Sequence, residues 1–325
     1  MQIPRRKLLR LAAAVPVASL MPRTASALDY PTRPVHIFNG FGGGSTPDLV
    51  SRLVGQWLSE KLHQPFVVEN RVGAGGNVAA GAVAKSAPDG YTLLTSVTAD
   101  AINASLYKNL DFDFIKDFVQ VAGIVRLTMV LLVNPAFPAK TLKDFIAYAK
   151  ANPGKINFAS PGVGTPMHVA IELLKMQAGI DVVHVPYRGP APAITDLLAG
   201  RVQAFIITIS TAIGYIRAGK LLALAVTGPT RSEILPDVPS IGEELPGFDA
   251  TAWDGTSAPK GTPDAVVKTL SDGITAALAD KELKDRIKDL GGETVPMDSA
   301  AFSKFVVAET EKWAKVVEFA KIKPN

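Results

Sequence analysis

The chain contains no cysteine. That removes disulfides, thiolate metal sites, a thiol nucleophile and a lipid-anchoring cysteine from consideration. Histidine is nearly as scarce: His36, His63, His168 and His184 are all there are. No two of them stand at metal-ligand spacing, and no H-E-x-x-H occurs, so core or surface roles are expected for His168 and His184. There is no G-x-S-x-G elbow and no G-x-x-x-x-G-K-[ST] phosphate loop. Val72-Gly73-Ala74-Gly75-Gly76-Asn77 does not fit the dinucleotide pattern G-x-G-x-x-G. Glu172 and Asp196 read simply as helix carboxylates. No catalytic residue, metal or cofactor is therefore expected, and no motif proposes an enzyme. Past the N-terminal region, no apolar run approaches the roughly 18 uninterrupted residues of a membrane span.

Charge of one sign is missing too, once the N-terminal region is set aside. Residues 1–27 read as an export signal: a basic start, a short apolar stretch from Leu11 to Leu20 broken by Pro16, and Ala25-Ser26-Ala27 as a small-residue cleavage site. Arg5-Arg6-Lys7-Leu8-Leu9-Arg10 resembles a twin-arginine signal with Leu8 where Phe is more usual; a general secretory signal holding two arginines is the alternative. The whole chain has 34 basic and 30 acidic residues. Arg5, Arg6, Lys7, Arg10 and Arg23 precede the cleavage site and no acidic residue does, which leaves 29 against 30 and a mature charge of −1. No Lys/Arg run remains, so nucleic acid is not an expected partner. The mature chain of 298 residues is long enough for two lobes, and it is expected to be soluble and periplasmic.

What is present is alternation. Apolar, β-rich runs at 35–38, 66–69, 91–97, 121–133, 156–159, 182–186, 202–208 and 221–227 are separated by helical patterns at 47–62, 76–85, 141–151, 166–178, 191–199 and 211–218. This order predicts an α/β fold with largely parallel sheets flanked by helices. The interruption Arg126-Leu127-Thr128 inside a long apolar stretch predicts a strand passing between lobes. A return near Thr251-Ala252-Trp253-Asp254-Gly255 is followed by three amphipathic helices, 263–279, 281–290 and 299–319. The expected division is a signal at 1–27, a first lobe of 28–127 plus 252–325, and a second lobe of 128–251, with a cleft between them.

Two glycine-containing turns run from a strand into a helix. The first is Gly40-Phe41-Gly42-Gly43-Gly44-Ser45-Thr46-Pro47-Asp48, and the second is Ser160-Pro161-Gly162-Val163-Gly164-Thr165-Pro166. Glycine lets backbone approach a ligand, and the unpaired N–H groups of a helix start favour an anion. Thr-Pro is also an ordinary helix start, used again at Thr262-Pro263. Uncharged hydrogen-bonding groups gather at expected strand ends: Ser45, Thr46, Ser160, Thr165, Thr95-Ser96-Val97-Thr98 and Thr208-Ile209-Ser210-Thr211. Hydroxyls and backbone N–H groups can surround a carboxylate without a buried ion pair, although Ser and Thr in such places also make local turn bonds.

Several longer runs are distinctive. They include Glu69-Asn70-Arg71-Val72-Gly73-Ala74-Gly75-Gly76-Asn77, Ala87-Pro88-Asp89-Gly90-Tyr91-Thr92-Leu93-Leu94, Val183-His184-Val185-Pro186-Tyr187-Arg188-Gly189 and Leu235-Pro236-Asp237-Val238-Pro239. In this order, together with Ala193 to Gly200, Arg217 to Leu221 and Ala258 to Pro263, they resemble the extracytoplasmic solute receptors of tripartite tricarboxylate transporters, the Bug or TctC type. The resemblance covers essentially the whole mature chain. It implies a two-lobed periplasmic binding protein that closes on a small carboxylate, held by main chain, hydroxyls and bridging waters, and that works with membrane subunits of a transporter. It places the first binding turn on Phe41 to Asp48, with Phe41, Gly44, Ser45, Thr46 and Asp48 at the ligand. The second falls on Ala159 to Thr165, with Ala159, Ser160, Gly164 and Thr165. Ser96, Thr98, Thr208 and Ser210 complete the expected ligand-binding set. A monomer is expected by analogy.

The chain departs from the family pattern at Ser45, where a glycine is usual, and at Ile207, where a polar residue is common. Ile207 at the cleft, with Asp100 facing it, would favour an apolar monocarboxylate over a tricarboxylate; a core Ile207 and a solvated Asp100 are the alternative. Two other functional classes stay open at this point. A periplasmic sensor feeding a signalling kinase would differ by its gene neighbours, and an exported carboxylate-processing enzyme would differ by forming product without a partner.

Overall fold

The first sheet grows from Val35–Asn39 (β1), in which Val35, Ile37 and Phe38 are all buried. A parallel strand covered on both faces needs such a continuous apolar run. The computed structural model describes residues 30–324, so the export signal expected at 1–27 lies outside them. After β1 come α1 (Thr46–Leu62), β2 (Phe66–Asn70), α2 (Asn77–Ala84), β3 (Thr92–Val97), α3 (Thr98–Leu106) and β4 (Phe118–Leu127). A second series follows: β5 (Met129–Val133), α4 (Leu142–Ala151), β6 (Asn157–Ser160), α5 (Pro166–Ala178), β7 (Val183–Pro186), α6 (Pro190–Leu198), β8 (Ala204–Thr208), α7 (Ile209–Arg217) and β9 (Leu222–Val226). The chain ends with β10 (Ala252–Pro259), α8 (Asp264–Ala279), α9 (Lys281–Asp289), β11 (Glu293–Met297) and α10 (Ser299–Ala320).

The strands make two mixed sheets, ordered β11-β4-β10-β3-β1-β2 and β7-β6-β8-β5-β9. Parallel pairing of β1 with β2 and β3 aligns their carboxyl ends, and β10 runs antiparallel to β3 and β4. The carboxyl ends of β1 to β4 therefore share one sheet edge with the start of β10. In the second sheet, β6 is parallel to β7 and β8, while β5 is antiparallel to β8 and β9. The carboxyl ends of β6 to β9 share an edge with the start of β5. Only Thr128 separates the end of β4 from the start of β5, so the two edges meet at that residue. Both sheets belong to one compact unit that begins at Pro31.

Strand β5 shows how one segment serves two packing layers. Met129, Leu131 and Val133 join the large core that also holds Phe38, Leu94 and Phe158. Val130 and Leu132 face the other way, into a cluster with Phe205, Ile207 and Leu197. Side chains alternate across a strand, so an unbroken apolar run can feed both faces.

Three elements escape the sequence pattern. Helix α3 buries Thr98 through Asn103 and so lacks the polar face that marks an amphipathic helix. Strand β10 carries Asp254-Gly255, poor strand formers, yet it is buried throughout between β3 and β4. Edge strand β11 contains Pro296, which is tolerated there because an edge residue need not donate.

Helix α10 packs on α3, β4 and α5, and it is tied to β10 by a buried carboxylate. Glu309 Oε2 accepts the indole N–H of Trp253 at 3.0 Å and that of Trp313 at 2.9 Å, and Lys312 pairs with the same carboxylate. Both indoles are buried. Glu309→Ala leaves two buried N–H groups without their acceptor and should cost about 2–4 kcal/mol. Urea unfolding checks this as a lowered midpoint with an unchanged slope.

Candidate functional site

The two glycine turns lie at the carboxyl ends of β1 and β6, on the two edges that meet at Thr128. The first is anchored from three directions. Asn70 Nδ2 donates to Phe41 O at 2.9 Å and to Asp48 Oδ1 at 2.8 Å. Asn39 at the end of β1 bonds both the N–H and the carbonyl of Phe41. Asp48 Oδ2 accepts the Gly44 N–H at 2.9 Å, and Arg52 donates to Oδ1 at 3.0 Å. Burial alone would raise the Asp48 carboxyl; the hydrogen bonds from Arg52, Gly44 and Asn70 outweigh it and hold the group below its ordinary value. Asp48 thus shapes the turn from beneath, with both oxygens engaged by the protein.

Above these anchors the turn is open. A Cβ placed on Gly42, Gly43 or Gly44 would meet nothing within 4 Å, and Gly44 stands at φ +81°, a conformation that favours glycine. Ser45 is the N-cap of α1 in position, yet its hydroxyl makes no capping bond. The Ser45 Oγ is buried and has no partner among the described residues. Thr46 is the first helical residue and is half-buried. The phenyl ring of Phe41 packs over Gly76.

The second turn is built differently. Thr165 is a true N-cap with Pro166 behind it, and its Oγ1 accepts the His168 N–H at 3.3 Å while donating to Gly162 O at 2.8 Å. Ser160 Oγ lies 2.6 Å from His184 Nε2 and accepts the Gly162 N–H at 3.2 Å. Gly164 donates its N–H to His168 Nδ1 at 3.1 Å. The hydroxyls of Ser160 and Thr165 are thus engaged inside the turn, as local turn bonding predicts, and Ala159 is buried in β6. What this turn offers a ligand is backbone. The third Thr-Pro pair behaves in yet another way: Thr262 donates to Pro259 O and Pro263 caps α8.

The remaining expected ligand residues separate. Ser96 is fully buried within β3, where its hydroxyl meets that of Ser257, which in turn bonds Gln120. Thr98 Oγ1 accepts the Trp253 N–H at 2.7 Å and so ties α3 to β10. Thr208 is half-buried and bonds Thr211. Ser210 is exposed and lies against Gly291, where an added Cβ would come within 2.6 Å of the Ser210 Cβ. That contact borders a cavity of 310 Å³ at the strand crossover, lined by Arg126, Thr128, Ile234, Lys284 and Gly292 among others. Ile207 is 2% exposed and packs in the apolar cluster of the second sheet, so the ligand preference drawn from it loses its basis.

Three features of the site lie outside the sequence reading. The turn Gly73-Ala74-Gly75-Gly76 fills the space between Phe41 and α3, with Asn103 Nδ2 donating to Gly75 O at 2.9 Å. Its glycine cluster after β2 was the available signal. Helix α3 then reaches the second turn, because an added Cβ on Gly164 would come within 2.6 Å of Leu106 Cδ2. Asp100 and Asp254 form a buried acid pair beneath the first turn. Asp100 caps the Val97 N–H at 2.8 Å, and a Cβ on Gly76 would lie 3.7 Å from Asp100 Oδ1. Burial pushes Asp100 up to about 7; burial and then the Asp100 charge push Asp254 up to about 8. Asp100 is therefore a capping group, not a cleft-facing charge.

Among the described residues, no helix is long and apolar enough to cross a membrane, and no group of three or more His, Asp and Glu is placed to hold a metal. Comparison with known proteins supplies the family context. The sequence model described as "Tripartite tricarboxylate transporter family receptor" matches residues 50–322. Protein BugT of Bordetella pertussis is 36% identical over 295 residues, covering 90% of each chain. The structure of R. palustris Rpa4515 with adipate is 33% identical with a TM-score of 0.77, covering 91% of this chain and all of that one. The periplasmic binding protein BugD is 33% identical with a TM-score of 0.74, covering 90% and 99%. These relatives are binding proteins of two-lobed fold.

Proposed function

Because this chain belongs to the tripartite tricarboxylate transporter family of receptors, we propose that it is a periplasmic receptor that captures a small carboxylate between its two glycine turns. The two lobes of this reading are residues 28–127 plus 252–325 and residues 128–251, with the chain crossing near Thr128 and returning near Thr251. The single observation that carries the reading is the Ser45 hydroxyl. It is buried at a helix start without a partner among the described residues, under a turn whose glycines face open space. An orphaned buried hydroxyl costs about 1–3 kcal/mol, and a bound carboxylate oxygen would relieve that cost. Neighbouring backbone N–H groups and the positive end of α1 act in the same direction. Backbone of the second turn meets the ligand from the other side, and a ligand that touches both turns favours the closed arrangement.

Delivery to membrane subunits of a transporter, with the receptor acting as a monomer, follows the family's pattern. Export through the twin-arginine route fits the N-terminal sequence.

A thermal-shift screen of the mature chain tests the reading with adipate, malate, citrate, acidic amino acids and aromatic acids. One acid at 100 times its dissociation constant should stabilise the fold by about 2.7 kcal/mol. Ser45→Ala should then weaken that acid by roughly tenfold while raising the unliganded melting temperature, because the unpaired hydroxyl is gone. No stabilisation by any acid, with mass spectrometry showing no carried-over ligand, would overturn it.

A further inference from the structure

The second turn rests on two histidines that the capture step, as described, leaves without a role. His168 comes from the first turn of α5 and His184 from β7. Their rings are stacked, 3.7 Å between centroids and 14° from parallel. Each ring holds one end of the turn between them. His168 Nδ1 receives the Gly164 N–H at 3.1 Å, and His184 Nε2 lies 2.6 Å from Ser160 Oγ. Two cationic rings could not stack at this distance without strong repulsion, and a protonated Nδ1 could not accept a hydrogen bond.

The proton position on His168 follows from its partners. An acceptor role for His168 Nδ1 puts its proton on Nε2, which points towards Glu172 Oε1 at 3.8 Å. Gly162 O already receives the Thr165 hydroxyl at 2.8 Å, and Ser160 Oγ already accepts the Gly162 N–H. The Ser160 hydroxyl reaches both Gly162 O, at 3.1 Å, and His184 Nε2, so its one proton serves one of them and the His184 tautomer follows that choice. Burial holds both rings neutral, with the neighbouring Lys175 acting in the same direction on each.

We propose that His168 and His184 are positioning residues of the ligand site: as a stacked neutral pair, they fix the backbone of residues 160–165 in the shape that turns the N–H groups of Val163 and Thr165, rather than those of Gly162 and Gly164, to the carboxylate. Gly164 needs this support, since it sits at φ +75° against Leu106 and has no side chain of its own to lock it. The inference rests on the reading of this turn as a ligand contact, so its test has readouts that need no ligand.

Nitrogen-15 NMR of the mature protein at pH 7 should show His168 protonated on Nε2 alone and His184 neutral. His168→Leu removes the acceptor and should speed Gly164 amide exchange roughly tenfold or more. His168→Asn, whose Oδ1 can stand in for Nδ1, should stay within about threefold of wild type. A proton on His168 Nδ1 would overturn the proposal even if the leucine variant fails to fold, and so would unchanged Gly164 exchange in a folded leucine variant. Adipate titration adds the functional arm. His168→Leu should bind roughly tenfold more weakly, with the asparagine variant restoring affinity. Equal adipate binding with a loosened Gly164 would refute the positioning role. If no acid binds wild type, the receptor reading fails, and the ring and amide results still decide whether the pair holds the turn.

Discussion

Asp254→Asn should be more stable than wild type at pH 8, by on the order of 2 kcal/mol, and within about 1 kcal/mol of it at pH 5. Asp254 is 4% exposed, its Oδ2 has no partner among the described residues, and Asp100 lies close by. Both carboxyls hold their protons in the folded state well above the ordinary aspartate value of 3.8, to about 7 and about 8. In the unfolded chain they lose them near that ordinary value. The folded state therefore binds more protons between pH 4 and 8, and stability falls as pH rises through that window. Asparagine has the shape of the neutral acid and cannot ionise, so the loss at pH 8 shrinks.

His168 and His184 act with the opposite sign, at lower pH. Their folded values fall to about 3 and about 4, below the 6.5 of a free imidazole. The unfolded chain then binds more protons as pH drops below 6.5, and stability falls with it. Acids and histidines nearly offset one another between pH 4 and 6.5, whereas only the acids act above 6.5. Denaturant midpoints at pH 6.5, 7.5 and 8.5 isolate the acid pair. A wild type whose stability is flat across those three points would refute its assignment.

Gly40→Ala should destabilise the fold by roughly 2–3 kcal/mol, while Gly42→Ala, two residues on, should fall within about 0.5 kcal/mol of wild type. A Cβ on Gly40 would sit 2.5 Å from Gly76 Cα and 3.0 Å from Gly76 O. These are backbone atoms of the 73–76 turn, which Asn103 and Phe41 hold in place, so they cannot rotate aside as a side-chain tip could. The first turn and α3 would be pushed apart. A Cβ on Gly42 enters open space, and Gly42 is not among the positive-φ glycines. Its effect should appear in ligand binding, by obstructing approach to the Ser45 hydroxyl. Melting temperatures and titration with the stabilising acid separate the two. Equal stability losses would mean that the first turn is as tightly packed at its tip as at its base.

Much of the architecture was legible in the chain because its causes are local. The runs at 35–38, 66–69 and 91–97 are apolar over the length of a buried strand, and the intervening patterns repeat at helical spacing. Arg126-Leu127-Thr128 interrupts a long apolar stretch, and in the structure β4 ends at Leu127 while β5, in the other sheet, starts at Met129. Helix α3 and strand β10 were not legible, because each is buried on all sides and carries polar residues whose partners lie far away in sequence. Thr98 alone reads as a hydroxyl at a strand end; only Trp253, brought beside it by β10, gives it a backbone to bond.

The same division runs through the candidate site. Glycines before helix starts and hydroxyls at strand ends follow from composition and spacing. Which hydroxyl is left free does not. Ser160 and Thr165 looked equivalent to Ser45 in the chain, yet the fold engages the first two and leaves Ser45 without a partner. Hydrogen bonding saturates: once His184, Gly162 or His168 has taken a group, that group has little left for a ligand. The identity of those partners depends on the register of strands and the docking of helices, which tertiary packing alone decides.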